Sequence, residues 1–210
     1  MGTAEQEILI RSVRTLTRRD PILKDAVKAF GLPASRKQTA GFATLARVVV
    51  DQQLSTLAAA AIWRRLRSTV GRIGPDSILA ARETDLRAAG LSGGKVKTLR
   101  ALSDAVASGA LNLRTLTRKD DTSTKELLTQ VWGIGDWTAE IYMMFAMGRP
   151  DVWPAGDLAL RTGWQTVTAD AERISAEDLA AIAEAWRPHR SAAAILLWHA
   201  VGAARQKSKA

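Results

Sequence analysis

Apolar residues recur at helical spacing along almost the whole chain, and no stretch alternates with the period of two of a half-buried strand, so the pattern predicts an all-α fold. Asp20-Pro21 starts a helix through Lys28, with Ile22, Ala26 and Val27 inward, before Gly31 and Pro33 break it. Phe42, Leu45, Ala46, Val49 and Val50 define the next stripe. Its β-branched run Val48-Val49-Val50 also suits a buried strand, but the longer i, i+3, i+4 pattern around it favours helix. Ser55 can cap a helix from Thr56 to Arg67, in which the run Ala58 to Ala61 permits close packing. Two further helices, Asp76 to Ala88 and Lys95 to Ala107, are separated by Gly90, Ser92, Gly93 and Gly94. Ser123 with Glu126 reads as a capping box that opens a helix near Thr124 running to Trp132, and another helix follows Gly135. Ser175 and Asp178 form a weaker version of that cap before Leu179 to Trp186, and Pro188 precedes a last helix from Ser191 to Ala203. The basic tail of Arg205, Lys207 and Lys209 is expected to fray.

With 210 residues the chain can form one large domain or two intimately packed lobes. Thirty Lys and Arg against 21 Asp and Glu give a net charge of +9, which makes nucleic acid the first partner to consider, although a merely basic protein would share it. The absence of cysteine excludes disulfides, Cys-ligated zinc and iron–sulfur clusters, and His189 and His199 are too few for a His-rich metal site. No apolar stretch approaches the roughly 20 residues of a membrane span, and the start from Met1 to Arg19 lacks a signal-peptide core. The expected setting is intracellular, in the cytoplasm and at the nucleoid, with no membrane partner.

The stretch Leu127 to Ala139 joins two apolar helices by a turn in which Gly133 and Gly135 flank Ile134. The glycines allow positive φ and close approach of a ligand, Ile134 anchors the turn in the core, and the amides opening the second helix face outward with the positive end of its dipole. Such a turn can hold a phosphate without a charged side chain, but a plain αα-hairpin needs glycine too. Further along, Asp151-Val152-Trp153-Pro154-Ala155-Gly156-Asp157 places an acidic residue behind Pro and Gly at the start of a helix. Taken alone, Asp157 is also an ordinary helix N-cap.

Together, Val131 to Arg161 resembles the helix-hairpin-helix plus Gly/Pro-Asp element of the base-excision DNA glycosylases, and in particular their bacterial 3-methyladenine DNA glycosylase II branch. Val50-Asp51-Gln52-Gln53-Leu54-Ser55 and Trp186-Arg187-Pro188-His189-Arg190-Ser191, with Trp198 following, match the same branch. The resemblance implies a single glycosylase domain over residues 1–210, with two helical lobes, a base-binding cleft between them, a hairpin at about 124–147 and no amino-terminal β domain. It also implies action as a monomer on duplex DNA containing alkylated bases, without a required cofactor. Asp157 matches the catalytic aspartate, and Trp137, Trp198 and Ile141 match positions of the base pocket. Gln52, Gln53 and Leu54 match the loop that fills the vacated base stack, with Gln53 as the wedge and Leu54 as the neighbouring alternative; Gly133, Ile134 and Gly135 match the phosphate grip. The carbonyls of Thr129, Val131 and Ile134 would hold the family's monovalent cation.

Several positions depart from the branch. Ile141 replaces a pocket tyrosine, with Tyr142 beside it facing elsewhere, and His189 stands where a second Trp is found. Of the seven Trp, Trp63 and Trp132 are expected in the core, with Trp164 a third candidate. A glycosylase for oxidised or mismatched bases is the rival enzyme. Its lyase-competent members place a Lys where this chain has Trp137, so an amine nucleophile would have to come from elsewhere, such as Lys95 or Lys125. A non-catalytic DNA-binding module is the rival outside enzymes.

Overall fold

The computed structural model describes residues 3–207, and no strand occurs among them. The helices are α1 (Thr3–Arg19), α2 (Pro21–Phe30), α3 (Phe42–Asp51), α4 (Thr56–Val70), α5 (Pro75–Ala80), α6 (Glu83–Ala88), α7 (Gly93–Ala107), α8 (Asp121–Thr129), α9 (Asp136–Tyr142), α10 (Leu158–Thr168), α11 (Ala176–Ala183) and α12 (Arg190–Lys207). Short 3₁₀ turns cover Leu116–Arg118 and Glu184–Trp186, and a π-helical segment, Met143–Met147, continues α9. The chain divides into two compact units, one formed by residues 1–37 and 148–210 and the other by residues 38–147.

In the first unit α12 is the central helix. Ala192, Ala193, Ala194, Leu196, Leu197 and Ala200 are all buried, so apolar residues occupy more than one of its faces. At Gly163 on α10, an added Cβ would lie 2.7 Å from the Leu197 backbone oxygen, so glycine is what lets α10 and α12 approach. Asp20 caps α2 by accepting from the Ile22 and Leu23 amides at 2.8 and 3.1 Å, and it also accepts from the Trp186 indole at 2.7 Å. Trp186 packs edge-on against Trp153 at 5.4 Å and tilted against the buried Trp164 at 5.8 Å. On α2 the centre of the buried face is Leu23 with Ala26, and Ile22 and Val27 flank it half-buried.

The second unit is built around α3, where Leu45, Ala46, Val48, Val49 and Val50 are buried, which resolves the β-branched run as helix. Ser55 caps α4 through the Ala58 amide. Only Ala59 of the alanine run Ala58 to Ala61 is fully buried. Trp63, on the same helix, is half-buried rather than in the core as expected, with the Arg47 guanidinium 5.4 Å from its ring.

Four further expectations about the helices need correction. The segment from Asp76 to Ala88 is two helices, broken where Ala81 and Arg82 become extended and the Arg100 guanidinium donates to the Ala81 carbonyl at 2.8 Å. The break leaves both Ile78 and Leu86 fully buried. The cap of α8 is Asp120 rather than Ser123: its carboxylate accepts from the Ser123 amide at 2.8 Å and the Ser123 hydroxyl at 2.9 Å. Because α8 ends at Thr129, Trp132 falls in the following turn and is 48% exposed instead of in the core, with the Lys97 ammonium 4.0 Å above its ring. Arg205 and Lys207 do not fray, since α12 continues through Lys207, whose ammonium donates to the Ala29 carbonyl at 2.9 Å; Lys209 lies outside the described residues.

Candidate functional site

In the unit 38–147, the turn between α8 and α9 follows the sequence pattern closely. Ile134 and Val131 are buried anchors, and the Ile134 amide donates to the Val131 carbonyl at 3.0 Å. Gly133 has φ +81, and a Cβ there would sit 2.9 Å from the Thr98 side-chain carbons, so the position excludes other residues on two grounds. Gly135 does not need positive φ, contrary to expectation. It is an extended N-cap at φ −91 and ψ 179, and among the described residues, its two chain neighbours aside, nothing lies within 4 Å of its missing Cβ. Gly135 offers no side chain to cap α9, so the helix start receives no side-chain acceptor from the cap position.

Lys125 is shared by two carboxylates of α9, lying 3.0 Å from Asp136 in its first turn and 2.8 Å from Glu140. Burial acts to lower the Lys125 pKa, but the two carboxylates outweigh it and the net shift is upward. Glu140 is raised too, because its own burial outweighs the attraction of Lys125.

Beside the hairpin, the structure gives the two adjacent glutamines different surroundings. Gln52 turns inward and donates to the Gly133 carbonyl at 3.2 Å and the Thr138 hydroxyl at 2.8 Å. Gln53 is exposed and held at φ +54, a region a side-chain-bearing residue rarely enters. Leu54 is exposed as well, and Leu57, which no sequence motif marks, is 84% exposed in the first turn of α4. Trp137 and Ile141 are half-buried one turn apart on α9, hence on one face. Tyr142 faces elsewhere as expected: it is buried and its hydroxyl accepts from the Gly41 amide at 2.9 Å. A surface cavity of about 470 Å³ on α7, lined in part by Glu83, Lys97, Arg100 and Asp104, includes none of the expected site residues.

In the other unit, Asp157 is the N-cap of α10. Its Oδ1 accepts from the amides of Ala159 at 2.7 Å and Leu160 at 3.2 Å and from the Trp198 indole N–H at 3.3 Å. Three donors on one oxygen fix the carboxylate plane. The cap and the expected catalytic position therefore coincide in one residue, and the expected pocket Trp touches it directly.

The segment that delivers Asp157 is tied to the start of α12 by contacts between residues far apart in sequence. The buried Ser191 hydroxyl donates to the Arg149 and Val152 carbonyls at 2.8 and 3.1 Å and accepts from the Val152 amide at 3.0 Å. Asp151 receives Arg190 at 3.0 Å and Arg187 at 2.6 Å, and both arginines also reach Glu184. His189, half-buried at the entry to α12, has a buried Nδ1 without a protein partner.

An all-helical chain in which a glycine-aliphatic-glycine hairpin precedes a helix-capping aspartate held by an indole defines the class, and the comparisons agree. Residues 46–189 match the HhH-GPD superfamily of base excision DNA repair proteins. The chain belongs to that superfamily. It is 33% identical over 159 residues to DNA-3-methyladenine glycosylase 1 of Schizosaccharomyces pombe, covering 73% of this chain and 69% of the relative. It is similar in structure to the 3-methyladenine DNA glycosylase of the same yeast in complex with abasic DNA, with a TM-score of 0.85 and 30% identity over 90% of this chain and 95% of that one. A DNA-3-methyladenine glycosidase from Bacillus halodurans matches with a TM-score of 0.77 and 33% identity over 93% and 91% of the two chains.

Proposed function

We propose that this protein is a DNA glycosylase that hydrolyses the N-glycosidic bond of alkylated purines of the 3-methyladenine and 7-methylguanine type in duplex DNA, as a first step of base excision repair. The observation that carries this reading is the Asp157 carboxylate, held by the first amides of α10 and by Trp198, in a chain related to 3-methyladenine glycosylases.

The chemistry follows from charge. An N3- or N7-alkylated purine carries a positive charge, which an indole face such as that of Trp198 beside Asp157 would attract, and it leaves readily with the electrons of the C1′–N bond. Positive charge then develops on the deoxyribose, where the Asp157 carboxylate stabilises it and accepts a proton from the water that adds to C1′. The products are free base and an abasic sugar. The exposed Gln53 would occupy the vacated stack, and the open start of α9 behind Gly135 would take a backbone phosphate.

The reaction stops at the abasic site, because an indole stands where a Schiff-base lysine would be needed. The two lysines considered as substitutes are engaged elsewhere: Lys125 with Asp136 and Glu140, Lys95 with the Val50 and Gln52 carbonyls. The carbonyls of Thr129, Val131 and Ile134 would hold a monovalent cation, a reading supported by Thr129 ending α8, where carbonyls lack intrahelical donors, and by the second lone pair of the Val131 carbonyl beside its bond to Ile134. A bound ion there would brace the turn and takes no part in bond cleavage. The enzyme works as a monomer on cellular DNA.

Incubation with methylated calf-thymus DNA, followed by chromatography of the free bases, tests this reading. Release of 3-methyladenine and 7-methylguanine is expected. Release of oxidised bases alone from damaged DNA, or binding without release of any base, would reject it.

A further inference from the structure

Near the start of α7, the Lys95 ammonium donates to the Val50 carbonyl at 2.7 Å and the Gln52 carbonyl at 2.8 Å. These carbonyls close α3, where the last acceptors of a helix lack intrahelical donors. The next residue is Gln53, with its left-handed φ of +54. Such a conformation persists only where the surroundings over-determine it, and Lys95 fixes the chain immediately before it. From Gln52 the path continues through its side chain to the Gly133 carbonyl and the Thr138 hydroxyl. One turn further along α7, buried Thr98 fills the space against Gly133.

The first turns of α7 thus touch both the loop that presents Gln53 and the turn of the hairpin. Burial pulls the Lys95 pKa below the ordinary lysine value, opposed by the Asp51 carboxylate, so the fold holds a partly desolvated ammonium at a cost. The nearby Lys97 is placed differently, with its ammonium over the exposed Trp132 ring.

We propose that Lys95 is a positioning residue that locks the Gln53 loop to the hairpin, so that the wedge and the phosphate grip move as one piece when a base is displaced from the duplex. This rests on the reading of Gln53 as the wedge, and deepens it. Lys95 touches neither base nor sugar. Its effect passes through the backbone of residues 50–52 to the side chain of Gln53.

The test measures excision of 7-methylguanine from a duplex and from the same lesion in a single strand, for wild type, Lys95→Met, Gln53→Ala and the double variant. Lys95→Met is expected to slow duplex excision about 10-fold, in line with the loss of pre-organisation, and single-strand excision less than about twofold. Within the Gln53→Ala background, Lys95→Met should add less than about a further twofold, because both changes act through one side chain. The salt slope of DNA binding should be unchanged, whereas loss of a phosphate contact would lower it by about 1. A Lys95→Met loss that is equal on both substrates, equal in both backgrounds, or accompanied by a reduced salt slope overturns the proposal. If Gln53→Ala itself loses equally on both substrates, the wedge reading fails and this inference with it. Should Lys95→Met melt below the assay temperature, Gln52→Leu cuts the same path at its hairpin end and must show the same duplex-specific loss.

Discussion

The Trp198 indole N–H lies 3.3 Å from Asp157 Oδ1, the same oxygen that accepts the first amides of α10. A helix cap and a ring expected at the base pocket therefore converge on one carboxylate oxygen. Phenylalanine at position 198 keeps an aromatic face but removes the donor. Trp198→Phe is expected to slow base release about 10-fold, as loss of one hydrogen bond to a charged group implies, with little change in melting temperature. Unchanged release would mean that the indole N–H has no part in orienting the carboxylate.

Gly133 and Gly135 should respond oppositely to alanine. At Gly133 both φ and the contact with Thr98 oppose a Cβ, so Gly133→Ala is expected to cost about 2–4 kcal/mol in urea denaturation. At Gly135 the backbone suits alanine and the space is empty, so Gly135→Ala should leave stability nearly unchanged while weakening DNA binding. If Gly135→Ala binds duplex DNA as tightly as wild type, the phosphate does not approach there.

Gln53 makes a claim on stability as well as on activity. Gln53→Gly relieves the left-handed backbone and should be about 1 kcal/mol more stable than Gln53→Ala, while both lose duplex excision. Leu54→Ala is the companion measurement, since a larger duplex-specific loss there would move the wedge by one residue. Equal stability of the two Gln53 variants would show that the loop relaxes once the side chain is gone.

How much of the fold and site is legible in the sequence differs from residue to residue. Asp157, Ser55 and the Ile134 anchor can be read from residue type and local spacing, because their determining contacts are made within a few residues. Ser191 bonds to carbonyls about forty residues away and Lys95 to carbonyls at a similar separation, and no local pattern displays those contacts. Gln52 and Gln53 are the same residue type in neighbouring positions and differ only in backbone conformation, which the sequence does not display. Trp132 is misplaced from sequence because α8 ends earlier than its apolar pattern suggests. By contrast, α1 carries a local signal of its own: Leu9, Val13 and Leu16 fall at i, i+4 and i+7, and all three are buried.

The proposed hydrolysis by water, without an amine nucleophile, has a separate chemical outcome. Borohydride added during turnover on a lesion-containing duplex should trap no protein–DNA adduct, and strand breaks should appear only after hot alkali. A robust adduct would put a lysine at C1′, and Lys95 or Lys125 would have to leave the partners seen here.

Asp157→Asn tests the central claim most directly, because asparagine is as good a helix cap as aspartate and only the charge is lost. The measurement is single-turnover release of 7-methylguanine from a duplex carrying one such base, with binding of the same duplex measured alongside. Wild type should release the base and leave an intact abasic strand, while Asp157→Asn should bind comparably and release the base several orders of magnitude more slowly. Excision by Asp157→Asn at the wild-type rate would remove Asp157 from the chemistry and contradict the account.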